Sequence, residues 1–341
     1  MIISQTPFRV SFFGGGSDLP PYYRQHGGAV LATAIDKSVY VTVSKKFDEA
    51  IRVSYSRTEE VEQVAQIQHP LVREALEMLG IRGGVEITSV ADIPGKGTGL
   101  GSSSSFTVGL LNALHAYCGR YATAPKLSEE GCQIEIERCG EPIGKQDQYT
   151  AAFGGFNFIR FNADNSVDVK KVLCPPQVMQ DLQSRLLFFY TGLTRSASAL
   201  LRQQSTLVSK SEVKAEATGK LVRLAEVAFE NLCAGTIEPL GEMLDEAWHI
   251  KKQLVDGISN RVIDDVYQTA IRAGATGGKL LGAGGGGFLM FYASPERHDA
   301  IRHALQSLRE MPIRFAGQGS RIIFVHDTDM STQAATYQAA A

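Results

Sequence analysis

An α+β fold in two domains is predicted for this 341-residue chain by three observations. The N-terminal part is built of β-alternating segments. A strand, a glycine-rich loop and a helix follow one another between Gly84 and Tyr117. A long helical pattern over 196–255 then precedes further short strands. The length suits two domains. A polar stretch with Asn162, Asp164, Asn165 and then Pro175-Pro176 sets the boundary, giving residues 1–175 and 176–341.

Taken in order, Ile2 to Phe13 reads as an opening strand interrupted at Pro7, ending in Gly14-Gly15-Gly16-Ser17-Asp18-Leu19-Pro20. Three glycines before Ser-Asp make a tight turn that can bring a carboxylate to a small ligand. Ala29–Ala34, Val39–Val43 and Ile51–Ser54 are β-branched and apolar, so they read as strands. Pro70 to Leu79 reads as a short amphipathic helix, and Gly84 to Val90 alternates as a strand. Ser128 followed by Glu129 and Glu130 reads as a capped helix start, ending near Gly140. Phe156–Phe161 and Arg185–Thr191 read as strands, and Asn260–Ala273 as a helix. The glycine run from Gly274 to Phe288 leads into a strand at 289–292. A helix at 295–310 and strands near 312–315 and 321–325 complete the second domain, and the tail from Ser331 reads as disordered.

The stretch Pro94-Gly95-Lys96-Gly97-Thr98-Gly99-Leu100-Gly101-Ser102-Ser103-Ser104-Ser105 carries the strongest chemical signal. Its glycines let the backbone approach a ligand with N–H groups turned inward. The serines stand where a helix begins, and a helix N-terminus attracts phosphate through its exposed donors and partial positive charge. The run lacks the Gly-Lys-Ser/Thr ending of a Walker A loop. Its glycines are also at the wrong offsets for a dinucleotide-binding turn. It is a phosphate loop of another kind, since linkers do not usually run straight into an apolar helix pattern.

Composition narrows the classes further. Hydrophobic residues make up 44% and charged residues 21%, with a net charge of -2, so neither nucleic acid nor an anionic membrane is the expected partner. Five cysteines, at 118, 132, 139, 174 and 233, show no C-x-x-C spacing, which argues against a zinc site and fits a reducing cytoplasm. The N-terminus lacks the pattern of a signal peptide, and no apolar run reaches the ~18 residues of a membrane span.

Pro-x-x-x-Gly-Leu-Gly-Ser-Ser-x-Ser resembles the nucleotide loop of the galactokinase, homoserine kinase, mevalonate kinase and phosphomevalonate kinase superfamily, the GHMP kinases. Thr6-Pro7-Phe8-Arg9 with the turn to Asp18 resembles that superfamily's first motif. The glycine run around Gly282–Gly287 resembles its third. The resemblance implies an N-terminal domain like domain 2 of ribosomal protein S5 and a ferredoxin-like C-terminal domain, with the active site in the cleft between them. It implies ATP and Mg2+ as cofactors, ATP being held by Pro94, Gly97, Gly99, Leu100, Gly101, Ser102, Ser103 and Ser104. Glu137-Arg138 followed by Asp147 matches the order of a magnesium ligand and a catalytic carboxylate. The gap of ten positions is one shorter than in the mevalonate kinase pattern. Acids at 135 and 137 would otherwise be solvated helix surface. On the resemblance, Ser103 and Glu137 bind the metal, with Ser102 as a rival to Ser103. Asp147 takes or orients the proton of the attacking hydroxyl, and Arg9 pairs with it.

Gly15-Gly16-Ser17-Asp18, Gly144-Lys145-Gln146-Asp147-Gln148-Tyr149, Tyr190-Thr191-Gly192-Leu193-Thr194-Arg195 and Gly278-Lys279-Leu280-Leu281-Gly282 resemble the kinases of D-glycero-D-manno-heptose 7-phosphate. Fucokinases share much of this pattern. The implied reaction is phosphorylation of the anomeric hydroxyl, giving the 1,7-bisphosphate for nucleotide-activated heptose. The implied substrate contacts are Gly15, Gly16, Ser17, Asp18, Lys145, Gln146, Arg195, Gly284 and Gly285. Lys145 and Arg195 are the cations expected to hold the sugar's own phosphate. A fucokinase or related sugar-1-kinase stays open beside this reading. So does a non-catalytic sugar or nucleotide sensor on the same scaffold. The presence of Arg9, Ser103, Glu137 and Asp147 weighs against the sensor.

Overall fold

The computed structural model describes residues 1–93, 97–193 and 197–326. Among the described residues, twelve strands form two sheets. The first sheet contains β1 (Ile2–Phe13), β2 (Gly28–Lys45), β3 (Ile51–Ser54), β4 (Thr58–Val61), β5 (Val85–Ala91), β6 (Phe156–Phe161) and β7 (Val167–Lys171). The second contains β8 (Leu186–Tyr190), β9 (Gly277–Leu280), β10 (Phe288–Tyr292) and β11 (Arg309–Glu310). The last strand, β12 (Arg321–Val325), belongs to the first sheet.

The first sheet runs β12-β1-β2-β5-β3-β4, and β6 also pairs with β2 and carries β7. Among the described residues only the β3–β5 pairing is parallel. The two strands expected at Ala29–Ala34 and Val39–Val43 are one continuous strand. The exposed Asp36 between them looks like a turn, yet β2 pairs along its length with β1 and divides its other edge. Gly28–Thr33 faces β6 and Val39–Lys45 faces β5. The second sheet runs β11-β8-β10-β9, all antiparallel. Arg321–Val325 was expected in the second domain. Its pairing with β1 returns the chain to the first sheet instead, and 312–315 forms no strand, contributing a single bridge from Phe315 to Ile35.

Helix 102–117 packs on β1 and β2. Helix 212–233 packs on β1, β2 and β6, and also on helix 240–252, which in turn lies on β9 and β10. Apolar side chains of both sheets and of these helices share one core. The region 196–255 divides into helices 197–210, 212–233 and 240–252, with the expected breaks. The expected helix at 295–310 is shorter, a 3₁₀ turn and helix 298–304. Helices at 20–26, 146–153 and 176–184 carry no clear sequence pattern and were not expected. Among the described residues no helix is long and apolar enough to cross a membrane.

Candidate active site

β1 is the spine of the site. Its register against β2 shifts between Pro7 and Arg9, where Pro7 has no N–H to offer the ladder. The Arg9 N–H turns instead to the Leu100 carbonyl at 3.0 Å, which ties the strand to the glycine loop. Arg9 is 4% exposed. Its Nε donates to Asp147 Oδ1 at 2.6 Å, NH2 donates to Asp147 Oδ2 at 2.7 Å, and NH1 donates to the Gly99 carbonyl at 2.6 Å. This two-pronged geometry is the strong form of an arginine–carboxylate pair.

In the loop, Gly97, Gly99 and Gly101 all have φ between 73° and 76°, the left-handed region that favours glycine. Gly101 is the residue before helix 102–117, so the serines occupy its first turn and do not cap it by side chain. Leu100 is buried in the core. Ser103 Oγ donates to Glu135 Oε1 at 3.0 Å, and Ser105 Oγ donates to the Pro7 carbonyl at 2.8 Å. The third glycine run leans directly on this loop. A Cβ on Gly99 would lie 2.4 Å from the Leu281 carbonyl oxygen, and one on Gly287 would lie 2.5 Å from that of Thr98. Pro94 of the expected ATP loop lies outside the described residues.

Glu135, not Glu137, faces the loop. Helix 124–132 starts four residues earlier than expected, capped by Thr123, while Ser128 merely bonds back to the Ala124 carbonyl. It then widens into a π turn over 133–138. That turn leaves Glu137 exposed and buries Glu135 to 1% exposure. Glu135 accepts bonds from Ser103 and, at 2.6 Å, from Gln148 Nε2. Burial pushes its carboxyl up to about 7, against the hydrogen bonds from Ser104, Gln148 and Ser103. An oxygen-only donor set of Ser103 and Glu135 suits a hard cation, while Glu137, the expected ligand, is exposed on the same turn.

Asp18 closes the other end. Its Oδ1 accepts from the Gly16 N–H at 3.0 Å and its Oδ2 from the Gln146 N–H at 3.1 Å. Burial pushes its carboxyl up to about 6, opposed by the Gln146 N–H and reinforced by the charge of Asp147. Between Asp18 and the Arg9–Asp147 pair lies a cavity lined also by Ser11, Gly15, Gly16, Gln146, Gln204, Lys251, Lys279, Gly282 and Ala283. Ser11 Oγ and Gln146 Oε1 are buried with no hydrogen-bond partner among the described residues, so both can receive a ligand's hydroxyls.

Several expected substrate contacts lie elsewhere. Ser17 is fully buried and clasps the backbone of Ala29. Lys145 turns away from the cavity, bonding the Asn165 carbonyl at 3.1 Å and lying over the Tyr23 ring. Gly285 donates to the Ile258 carbonyl at 2.9 Å and Gly284 backs onto the same residue, leaving Gly282 and Ala283 to line the cavity. Arg195 lies outside the described residues. Two cavity lysines, Lys251 and Lys279, were missed. Lys251 sits in a basic last turn of a helix and Lys279 inside a glycine run, and neither position signals burial.

Two family profiles match the chain. That of the GHMP kinases N terminal domain covers residues 63–155, and that of the GHMP kinases C terminal covers residues 228–309. A D-glycero-alpha-D-manno-heptose 7-phosphate kinase of Campylobacter jejuni is 28% identical over 89% of this chain and 93% of its own length. A bifunctional fucokinase/GDP-fucose pyrophosphorylase of Arabidopsis thaliana is 25% identical over 91% of this chain, which spans 32% of that protein. Among solved structures, a D-glycero-D-manno-heptose 1-phosphate kinase from Bacteriodes thetaiotaomicron superposes with a TM-score of 0.79 at 25% identity, covering 96% of this chain and all of that one.

Proposed function

The chain belongs to the GHMP kinases, and from that premise we propose that it transfers the γ-phosphoryl group of ATP to the anomeric hydroxyl of D-glycero-D-manno-heptose 7-phosphate. One observation carries the reading. Arg9 and Asp147 form a two-pronged pair braced on Gly99 of the phosphate loop, at one end of a cavity whose other end is closed by Asp18. A sugar seated on Asp18 would put a hydroxyl near Asp147 with the phosphate loop beside it. The relative of 28% identity spanning nearly the whole chain supports heptose 7-phosphate over fucose.

In this reading the attacking hydroxyl gives its proton to Asp147, which retains lone pairs beyond those engaged by Arg9. The hydroxyl oxygen bonds to phosphorus as the bond to ADP breaks. Arg9 and the N-terminus of helix 102–117 offset the charge spread over the transferred group. Mg2+ would be held by Ser103 and Glu135, and would neutralise charge on the ATP phosphates. Residues 1–175 and 176–341 act as the two domains, with β12 contributed back to the first. Five cysteines free of disulfides support action in the cytoplasm.

The test is ATP consumption with heptose 7-phosphate, fucose, galactose and mevalonate offered in parallel. The reading requires heptose 7-phosphate to give the highest kcat/KM. A preference for fucose moves the assignment to fucokinase, and no turnover with any sugar favours the sensor.

A further inference from the structure

Two lysines on the C-terminal side of the cavity are used by nothing described so far. Lys251, on helix 240–252, is 8% exposed, and Lys279, on β9, is 5% exposed. Both line the cavity. The Lys279 ammonium donates to the Phe12 carbonyl at 2.7 Å. The Lys251 ammonium donates to the carbonyls of Leu280, at 3.4 Å, and Gly282. Among the described residues neither forms an ion pair. An ammonium has three donors, so each lysine keeps at least one beyond these carbonyls.

A buried ammonium without an anion is costly, and two beside one another cost more. Tying down a carbonyl does not require that charge, because a neutral amide donor would do it. The third cation of the cavity, Arg9, is already committed to Asp147. The remaining carboxylate, Asp18, accepts from two backbone N–H groups, and its charge acts on Lys251 from a distance without an ion pair. Two lysines thus share the cavity with one carboxylate that no arginine holds, which leaves an excess of positive charge. An anion with several acceptor oxygens, such as a phosphate group, meets both the charge and the free donors.

We propose that Lys251 and Lys279 form a phosphate-binding pair inside the cavity. The inference rests on the kinase reading above, which offers two sources of that chemistry: the phosphate already carried by the acceptor sugar, and the phosphoryl group arriving from ATP. Lys279 bonds the strand end that leads into the Gly14–Asp18 turn, on the sugar's side. Lys251 bonds Gly282, which packs on Gly99 of the phosphate loop. Burial and the nearby Arg9 charge push Lys251 down to about 8, with Asp18 opposing, and burial with the Lys251 and Arg9 charges pushes Lys279 well below its ordinary value. The charge of a bound anion would oppose both shifts.

The experiment uses Lys251→Met and Lys279→Met, which keep much of the side-chain volume and remove the charge. Kinetics are measured at saturating ATP with heptose 7-phosphate and with the unphosphorylated heptose. If the pair holds the acceptor's phosphate, KM for heptose 7-phosphate rises about 10–100-fold and kcat/KM for free heptose stays within about twofold. If it holds the transferred group, kcat falls about tenfold or more with both sugars and both KM values persist. Folded variants with native constants for both sugars overturn the proposal. Thermal unfolding with inorganic phosphate in the presence of ADP reads the site without any turnover, so it separates this inference from the choice of sugar. The native protein must be stabilised and the variants must lose that gain. Should the variants not fold, absence of a phosphate-dependent shift in the native protein overturns the proposal.

Discussion

Arg9 and Asp147, 138 positions apart, hold each other through two parallel hydrogen bonds of 2.6 and 2.7 Å. The pair sits under the phosphate loop because the remaining Arg9 nitrogen is bound to Gly99. Asp147 therefore cannot swing away from the cavity it lines. Asp147→Asn keeps the shape and loses the proton acceptor, and one amide hydrogen would face the guanidinium. The expected result is a kcat lowered by about 10²–10⁴ with ATP affinity retained, measured by steady-state kinetics and by ATP titration calorimetry. A near-native kcat would remove Asp147 from the chemistry.

Glu135 and Glu137 make a sharp comparison, because they lie on one short turn and differ in burial. Glu135→Gln is expected to raise the magnesium concentration needed for half-maximal rate by about tenfold or more, and Glu137→Gln to leave it unchanged. Ser103→Ala should shift the requirement in the same direction as Glu135→Gln, and Ser102→Ala should not. Magnesium titrations of the four variants decide the ligand set.

Gly144 is held without a side chain by Asp18. A Cβ there would fall 2.0 Å from Asp18 Oδ2 and 2.3 Å from its Cγ. Gly144→Ala should push the carboxylate out of place, raising KM for the sugar about tenfold or more and costing about 1–3 kcal/mol of stability. KM for ATP should hold. Urea unfolding and bisubstrate kinetics measure the two effects, and an unchanged sugar KM would detach Asp18 from substrate binding.

Asp18 also predicts a pH dependence. Its carboxyl is raised from 3.8 to about 6, chiefly by burial. The raised value favours the folded state below 3.8, and that contribution fades as pH rises through about 6. Function runs the other way, since the ionised form is the better acceptor for sugar hydroxyls. KM for the sugar should rise as pH falls from 7 to 5, by up to about tenfold per unit below 6. Asp18→Asn should flatten that limb. A flat KM in the native enzyme over this range would contradict the role.

Much of this site was legible in the chain because its signals are local. The glycine run reads as open backbone leading into a helix, and Gly97, Gly99 and Gly101 are left-handed just before helix 102–117. Arg9, Asp18 and Asp147 meet at one cavity. The failures share a physical cause, which is that burial depends on partners distant in sequence. A π turn sets which of Glu135 and Glu137 is buried, and such a widening leaves no mark in composition. Lys145, expected at the sugar's phosphate, bonds the Asn165 carbonyl and lies over the Tyr23 ring, partners distant in sequence. The chain does not single out Lys251 and Lys279 as site residues, because their burial comes from helix 240–252 and β9 meeting the first sheet. The return of β12 to β1 is a pairing across more than 300 residues, which no local pattern encodes.

The central claim is that this kinase phosphorylates the anomeric hydroxyl of a heptose already bearing a phosphate. The most direct measurement is ³¹P NMR of the product formed from ATP and D-glycero-D-manno-heptose 7-phosphate. The account predicts a second phosphate resonance coupled to the anomeric proton, with the original 7-phosphate signal unchanged and ADP formed in equal amount. A new phosphate on any other carbon, or no new sugar phosphate under conditions where fucose is phosphorylated, would contradict it.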